Sequence, residues 1–175
     1  MTLRQLVDQA ETVFAGLPPL PSPFSVDAYI DVLQTHRQRP IMMRPIERSA
    51  LDVPCGLWID MGGFDLICYA DEASPLLKDT IKLHELSHML YGHEGVMDED
   101  ALCRALPDLP RKLIRNRLAA RRSAGRTEYT TQQEREAEIL ATVIAEHADT
   151  RTTYTDPVLA SLADSLGHPI RGRKR

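Results

Sequence analysis

His84, Glu85 and His88 are the residues whose types and spacing point most directly to chemistry in this 175-residue chain. They form a His-Glu-x-x-His run within the segment Asp79–His93. On a helix, four residues make close to one turn, so His84 and His88 leave the same face and can share one metal ion. Glu85 stands about 100° around the axis from His84, within reach of a water at that metal. Zinc accepts imidazole nitrogen readily, and a catalytic zinc site takes three protein ligands while keeping one position open. The alternative is a buried apolar helix whose histidines are merely hydrogen-bonded. Leu76, Leu77, Ile81, Leu83, Leu86, Met89 and Leu90 make the helix apolar enough for either. Burying two imidazoles and a carboxylate together carries a desolvation cost that a cation offsets, which favours the metal.

Two histidines leave the ligand set short by one. Tyr91 and Glu94 stand where a metzincin would carry glycine and a third histidine, so that class is excluded. His93 lies past the helix end, and a glutamate from a second helix is the better source. Residues 131–148 have helical spacing, with Ala137, Leu140, Ala141 and Ile144 as the inward face. At 100° per residue, Glu134 falls about 70° from the centre of that face. Glu136 and Glu138 fall about 90–110° away on opposite sides. Thr130 or Thr131 caps this helix, and Glu134 is the expected third ligand, against the alternative that it only closes a capping box with Thr131. Glu138 is expected to accept a hydrogen bond from the outer nitrogen of a ligating histidine, against the alternative that it is solvated. Tyr91, His93, Tyr129 and His147 are candidate donors to a transition state, and spacing does not choose among them.

The elements that must position these groups follow from pattern and punctuation. Ser74-Pro75 caps and opens the helix that carries the histidines, and Gly92 ends it in a left-handed turn. Ahead of it, the spacing predicts amphipathic helices over 2–16 and from Ser25 to about Gln38. Short strands are expected at Pro40–Ile46, Gly56–Asp60 and Phe64–Tyr69, with turns at Val53–Gly56 and Met61-Gly62-Gly63. Trp58 and Tyr69 are read as packing residues. Their order suggests a small antiparallel sheet before the His-Glu-x-x-His helix. After it come an acidic loop, a short helix over 99–106 and a basic amphipathic helix over 111–126 ending in a Ser-Ala-Gly turn. No aromatic residues interleave with these charges, which favours a solvated face over a nucleic-acid contact. A helix is expected at 156–166, and residues 171–175 form a basic tail read as disordered.

Composition sets the outer limits. Hydrophobic residues make up 43% and charged residues 26%, ordinary for one soluble globular domain. A net charge of -4 argues against a strongly basic nucleic-acid binder. Cys55, Cys68 and Cys103 are odd in number and lack a CxxC pair, so reduced thiols are expected. No apolar run approaches membrane-spanning length and no basic-then-apolar leader opens the chain. These features fit a cytoplasmic protein without a membrane association.

The order of two helices, a small sheet, His84-Glu85-Leu86-Ser87-His88 and then Glu134-Arg135-Glu136-Ala137-Glu138-Ile139-Leu140-Ala141 resembles the ImmA/IrrE family. The resemblance is centred on residues 25–148 within a domain taken as 1–170. It implies an α+β, zincin-like fold, mostly helical, and a zinc metallopeptidase of the gluzincin kind. It also implies His84, His88 and Glu134 as zinc ligands and Glu85 as general base. Glu138 departs from the family's usual asparagine or aspartate, and Leu140 from its usual aromatic residue. Thr142-Val143-Ile144 replaces a Leu-Met-Pro segment. The family's substrates suggest a cytosolic helix-turn-helix repressor as the protein cleaved or regulated. The alternative is a catalytically silent regulator or toxin–antitoxin-like component that binds protein or nucleic acid, the latter through 111–126.

Overall fold

The computed structural model describes residues 1–47, 56–93, 99–122 and 129–151. Expectations for 53–55, 94–98, 123–128, the 156–166 helix and the 171–175 tail lie outside these residues. Within them the chain is α+β, with helices α1 (Leu3–Ala15) and α2 (Val26–Arg37), then strands β1 (Ile41–Ile46), β2 (Gly56–Asp60) and β3 (Asp65–Ala70). Helices α3 (Pro75–Tyr91), α4 (Glu99–Ala105), α5 (Arg111–Arg122) and α6 (Thr131–Arg151) follow.

The sheet is mixed, in the order β1-β3-β2, which corrects the expected antiparallel one. β2 and β3 are antiparallel across the Met61-Gly62-Gly63 turn, where Asp60 accepts the Gly62 N–H at 2.6 Å. β1 lies parallel to β3 on its other side. β1 and β2, though consecutive, do not pair, because β2 takes the far edge and β3 comes back between the two strands. Pro45 stands on the β1 edge, where a missing backbone donor is tolerated.

Alternation along β2 and β3 divides the interior in two. Trp58 and Ile67 face one core with Tyr29 and Leu33 of α2, Leu86 and Met89 of α3, and Leu140 and Ile144 of α6. Leu57, Ile59, Leu66 and Cys68 face the other, filled by Leu102 of α4 and by Ile114 and Leu118 of α5. Leu86 and Leu140 are fully enclosed. Burying each contributes about 1.5–3 kcal/mol, which ties α3 to α6. Buried Asp65 locks the frame from the side. It accepts from Trp58 Nε1 at 3.0 Å and pairs with Arg37 at 2.7 Å and Arg39 at 3.0 Å. Trp58 is thus a packing residue, while Tyr69 lies under the Lys82 ammonium at 5.0 Å. Cys68 and Cys103 are buried free thiols.

Candidate metal centre

The capping signals place α3 as expected. The Ser74 side chain accepts from Leu77 N, Pro75 occupies the first turn, and Gly92 takes φ 67°. At the far end, Gly92 N bonds Met89 O at 3.1 Å while His93 N reaches back to His88 O at 2.9 Å. That double bond pattern is a Schellman turn, and it folds the residue after glycine against the last turn of the helix. His93 is thereby delivered beside His88, with their Nδ1 atoms 3.1 Å apart.

The two threonines at the start of α6, either of which could cap it, are not equivalent. Thr130 is the cap: Gln133 N donates to its hydroxyl at 3.2 Å, and Thr130 N donates to Gln133 Oε1 at 2.9 Å. Glu134 is therefore not spent on the cap. Its Oε2 lies 3.3 Å from His84 Nε2 and 3.7 Å from His88 Nε2, and the two nitrogens are 3.1 Å apart. Donors bound at about 2.0–2.1 Å in a tetrahedral zinc site stand about 3.3–3.4 Å from one another. The three atoms match that triangle, so His84, His88 and Glu134 can hold a metal ion. Access is from the Glu134 side, since its side chain keeps 48% of its exposure while His88 keeps none.

Glu85 is buried at the same turn. The backbone of Trp58 donates to its carboxylate, yet Oε2 is enclosed without a hydrogen-bond partner. Burial, reinforced by the negative charge of Glu134, pushes its pKa up to about 8, and the Trp58 bond opposes that. Gly56 makes this approach of β2 possible. A Cβ there would stand 2.8 Å from Glu85 Oε1 and 2.6 Å from the Ile81 side chain. Burial, then the neighbouring imidazoles His84 and His93, lower His88 to about 3, which keeps it in the neutral form that binds metals.

The glutamate that serves the histidines from behind is Glu136, not Glu138. Glu136 is buried, and its Oε2 lies 3.0 Å from His93 Nε2. Glu138 is exposed on the side of α6 facing α1, beside Leu3 and Val7. The error lies in the choice of inward face. Ala141 is only half-buried, whereas Val143 and Ala148 are buried with Ala137, Leu140 and Ile144. Recentred on those five, Glu136 lies about 65° from the middle, Glu134 about 95° and Glu138 about 135°. Glu134 reaches the histidines from the edge of that face.

The candidate transition-state donors separate clearly. His147 sits 13 residues beyond Glu134, about 20 Å along the axis, where it pairs with Glu11 at 3.2 Å and stacks on Phe14. His93 has both ring nitrogens engaged, by His88 and Glu136. Tyr91 stacks on His93 with ring centroids 5.0 Å apart, its hydroxyl buried without a partner. Tyr129 stacks face to face on His88, with ring centroids 3.8 Å apart.

The basic helix α5 pairs part of its charge with α4 at the surface. Arg115 pairs with Glu99 at 2.9 Å and Arg111 with Asp100 at 3.7 Å. The Arg117 guanidinium covers Gly62. Among the described residues, no helix is long and apolar enough to cross a membrane. Comparison with family models, curated proteins and solved structures gives no match for this chain.

Proposed function

We propose that this protein is a zinc-dependent peptidase of zincin-like fold, with His84, His88 and Glu134 as the metal ligands and Glu85 as the general base. The observation that carries the reading is the triangle of donor atoms with a buried, incompletely bonded carboxylate beside it. Zinc, when bound, supplies a Lewis acid for a carbonyl oxygen and brings the pKa of water down towards ~7. Glu85 removes a proton from the attacking water through its unpartnered Oε2. Peptide hydrolysis joins the water oxygen to the acyl carbon and breaks the C–N bond. The same carboxylate then returns the proton to the departing nitrogen. Trp58 N–H holds the carboxylate during both transfers.

A protein substrate fits the setting, because β2 is an edge strand whose backbone lies against Glu85. Extended peptides add to such edges through main-chain hydrogen bonds. The resemblance to the ImmA/IrrE family makes a cytosolic helix-turn-helix repressor the substrate of choice. The test is elemental analysis of purified protein together with a cleavage assay on a repressor encoded beside its gene. One zinc per chain, lost in His84→Ala and Glu134→Ala, and cleavage lost with it, is the expected result. Zinc bound without cleavage, alongside intact repressor binding, would replace the peptidase with a zinc-dependent regulator. Unchanged zinc in His84→Ala would remove the centre itself.

A further inference from the structure

We infer that Glu136 and His93 form a relay that fixes the tautomer of His88, leaving its Nε2 lone pair directed at His84 and Glu134. The inference rests on the metal-centre reading for its consequence, while the tautomers themselves follow from hydrogen bonds that need no metal. Glu136 Oε1 accepts from Gln132 Nε2 at 2.9 Å, which orients the carboxylate and leaves Oε2 for His93 Nε2 at 3.0 Å. An ionised carboxylate only accepts, so the His93 proton sits on Nε2. A neutral imidazole has one N–H, and His93 Nδ1 is then an acceptor. It faces His88 Nδ1 at 3.1 Å, so His88 donates from Nδ1. His88 Nε2 is left unprotonated, 3.1 Å from His84 Nε2.

Every link is enclosed. His88, His93 and Glu136 keep at most 8% of their exposure, so water does not substitute for a missing partner. Two neighbours restrict the rings further, Tyr129 stacked on His88 and Tyr91 stacked on His93. A histidine that binds metal through one nitrogen is oriented by what its other nitrogen bonds. Here that partner is a second imidazole, and the carboxylate stands one residue further back. Glu136 and His93 supply none of the three donor atoms and act through His88 as positioning residues.

The experiment is nitrogen NMR of ¹⁵N-histidine-labelled, metal-free protein, read through long-range ring couplings. The expected pattern is His88 protonated on Nδ1 and His93 on Nε2. In Glu136→Gln the amide can present N–H to His93, which moves that proton to His93 Nδ1 and the His88 proton to Nε2. Zinc competition titrations should then show affinity about 10–100-fold lower for Glu136→Gln, the usual scale for losing a partner behind a ligand. His93→Ala should weaken zinc similarly, and the double variant should lose little beyond the larger single effect. A His88 proton on Nε2 in the unaltered protein overturns the relay, as does an unchanged zinc affinity in both single variants. The wild-type tautomers need no variant to fold. They also separate the two ideas, because a protein that binds no zinc but shows the expected pattern keeps the relay and loses the metal reading.

Discussion

Helix α6 carries a histidine–glutamate contact near each end, and the two contacts do different work. Near its start, Glu136 meets His93 at 3.0 Å, and both side chains keep 10% of their exposure or less. Near its end, His147 meets Glu11 at 3.2 Å, with 40% and 49% exposed. Residue types and distances are almost the same. The first pair is sealed and continues into His88, so the position of its proton constrains a ligand atom. The second stacks on the face of Phe14, 4.3 Å away, and lies open to water. Burial and onward connection separate a working contact from a surface one.

The largest expected effect is at the site end. Glu85→Gln keeps size and polarity but removes the proton acceptor. Hydrolysis of a cleavable peptide should fall by about 10²–10⁴-fold, with zinc content unchanged. Turnover at the wild-type rate would move the base to another residue. The equivalent change at the far end should leave turnover alone.

Between the ends, Leu140→Ala tests whether one packed surface supports both. Leu140 is fully buried against α3 and the sheet, so losing it should cost about 2–5 kcal/mol in denaturant unfolding. Because Glu134 and Glu136 ride on that helix, zinc affinity should fall as well. A large stability loss with wild-type affinity would mean that the cap and first turn of α6 hold the carboxylates without the core.

This asymmetry was only partly legible in the sequence. Ser74-Pro75 and Gly92 bounded α3 because caps and breakers act within a few residues. His84, Glu85 and His88 were readable for the same reason, since one helical turn fixes their relation. Sheet order was not, because the β3 partner on each side is a tertiary choice that leaves no local mark. The proposed third ligand sat between these cases. Glu134 emerged from helical phase, but the phase was measured against Ala141, and substituting Val143 moves Glu136 inward and Glu138 out. The relay did have a local signal. His88 followed by Gly92-His93 is the spacing that a Schellman turn folds into contact.

Gly92→Ala sharpens that point with a smaller change. Gly92 adopts φ 67°, where an alanine is disfavoured by about 1–2 kcal/mol. Nothing crowds the added methyl, so the cost is conformational. Thermal unfolding should register it, and zinc competition should show weaker binding as His93 shifts from His88. Lost stability with unchanged affinity would show that Glu136 alone keeps His93 in place.

The smallest effect belongs to the exposed pair. Glu11→Gln removes the carboxylate charge opposite His147 and leaves the stacking on Phe14 in place. Ion pairs this open to water contribute about 0–1 kcal/mol, since solvent screens the charges and both side chains lose freedom in meeting. Unfolding midpoints should therefore differ little, and by less at raised salt. Zinc affinity should not change, because the pair lies about 20 Å along α6 from Glu134 and is open to solvent. Glu136→Gln, the matching substitution in the sealed pair, provides the control: similar chemistry removed, with a tenfold or larger affinity loss expected. Equal losses of zinc affinity in the two variants would defeat the distinction between them. They would show that α6 transmits changes along its length instead of confining them to the enclosed relay.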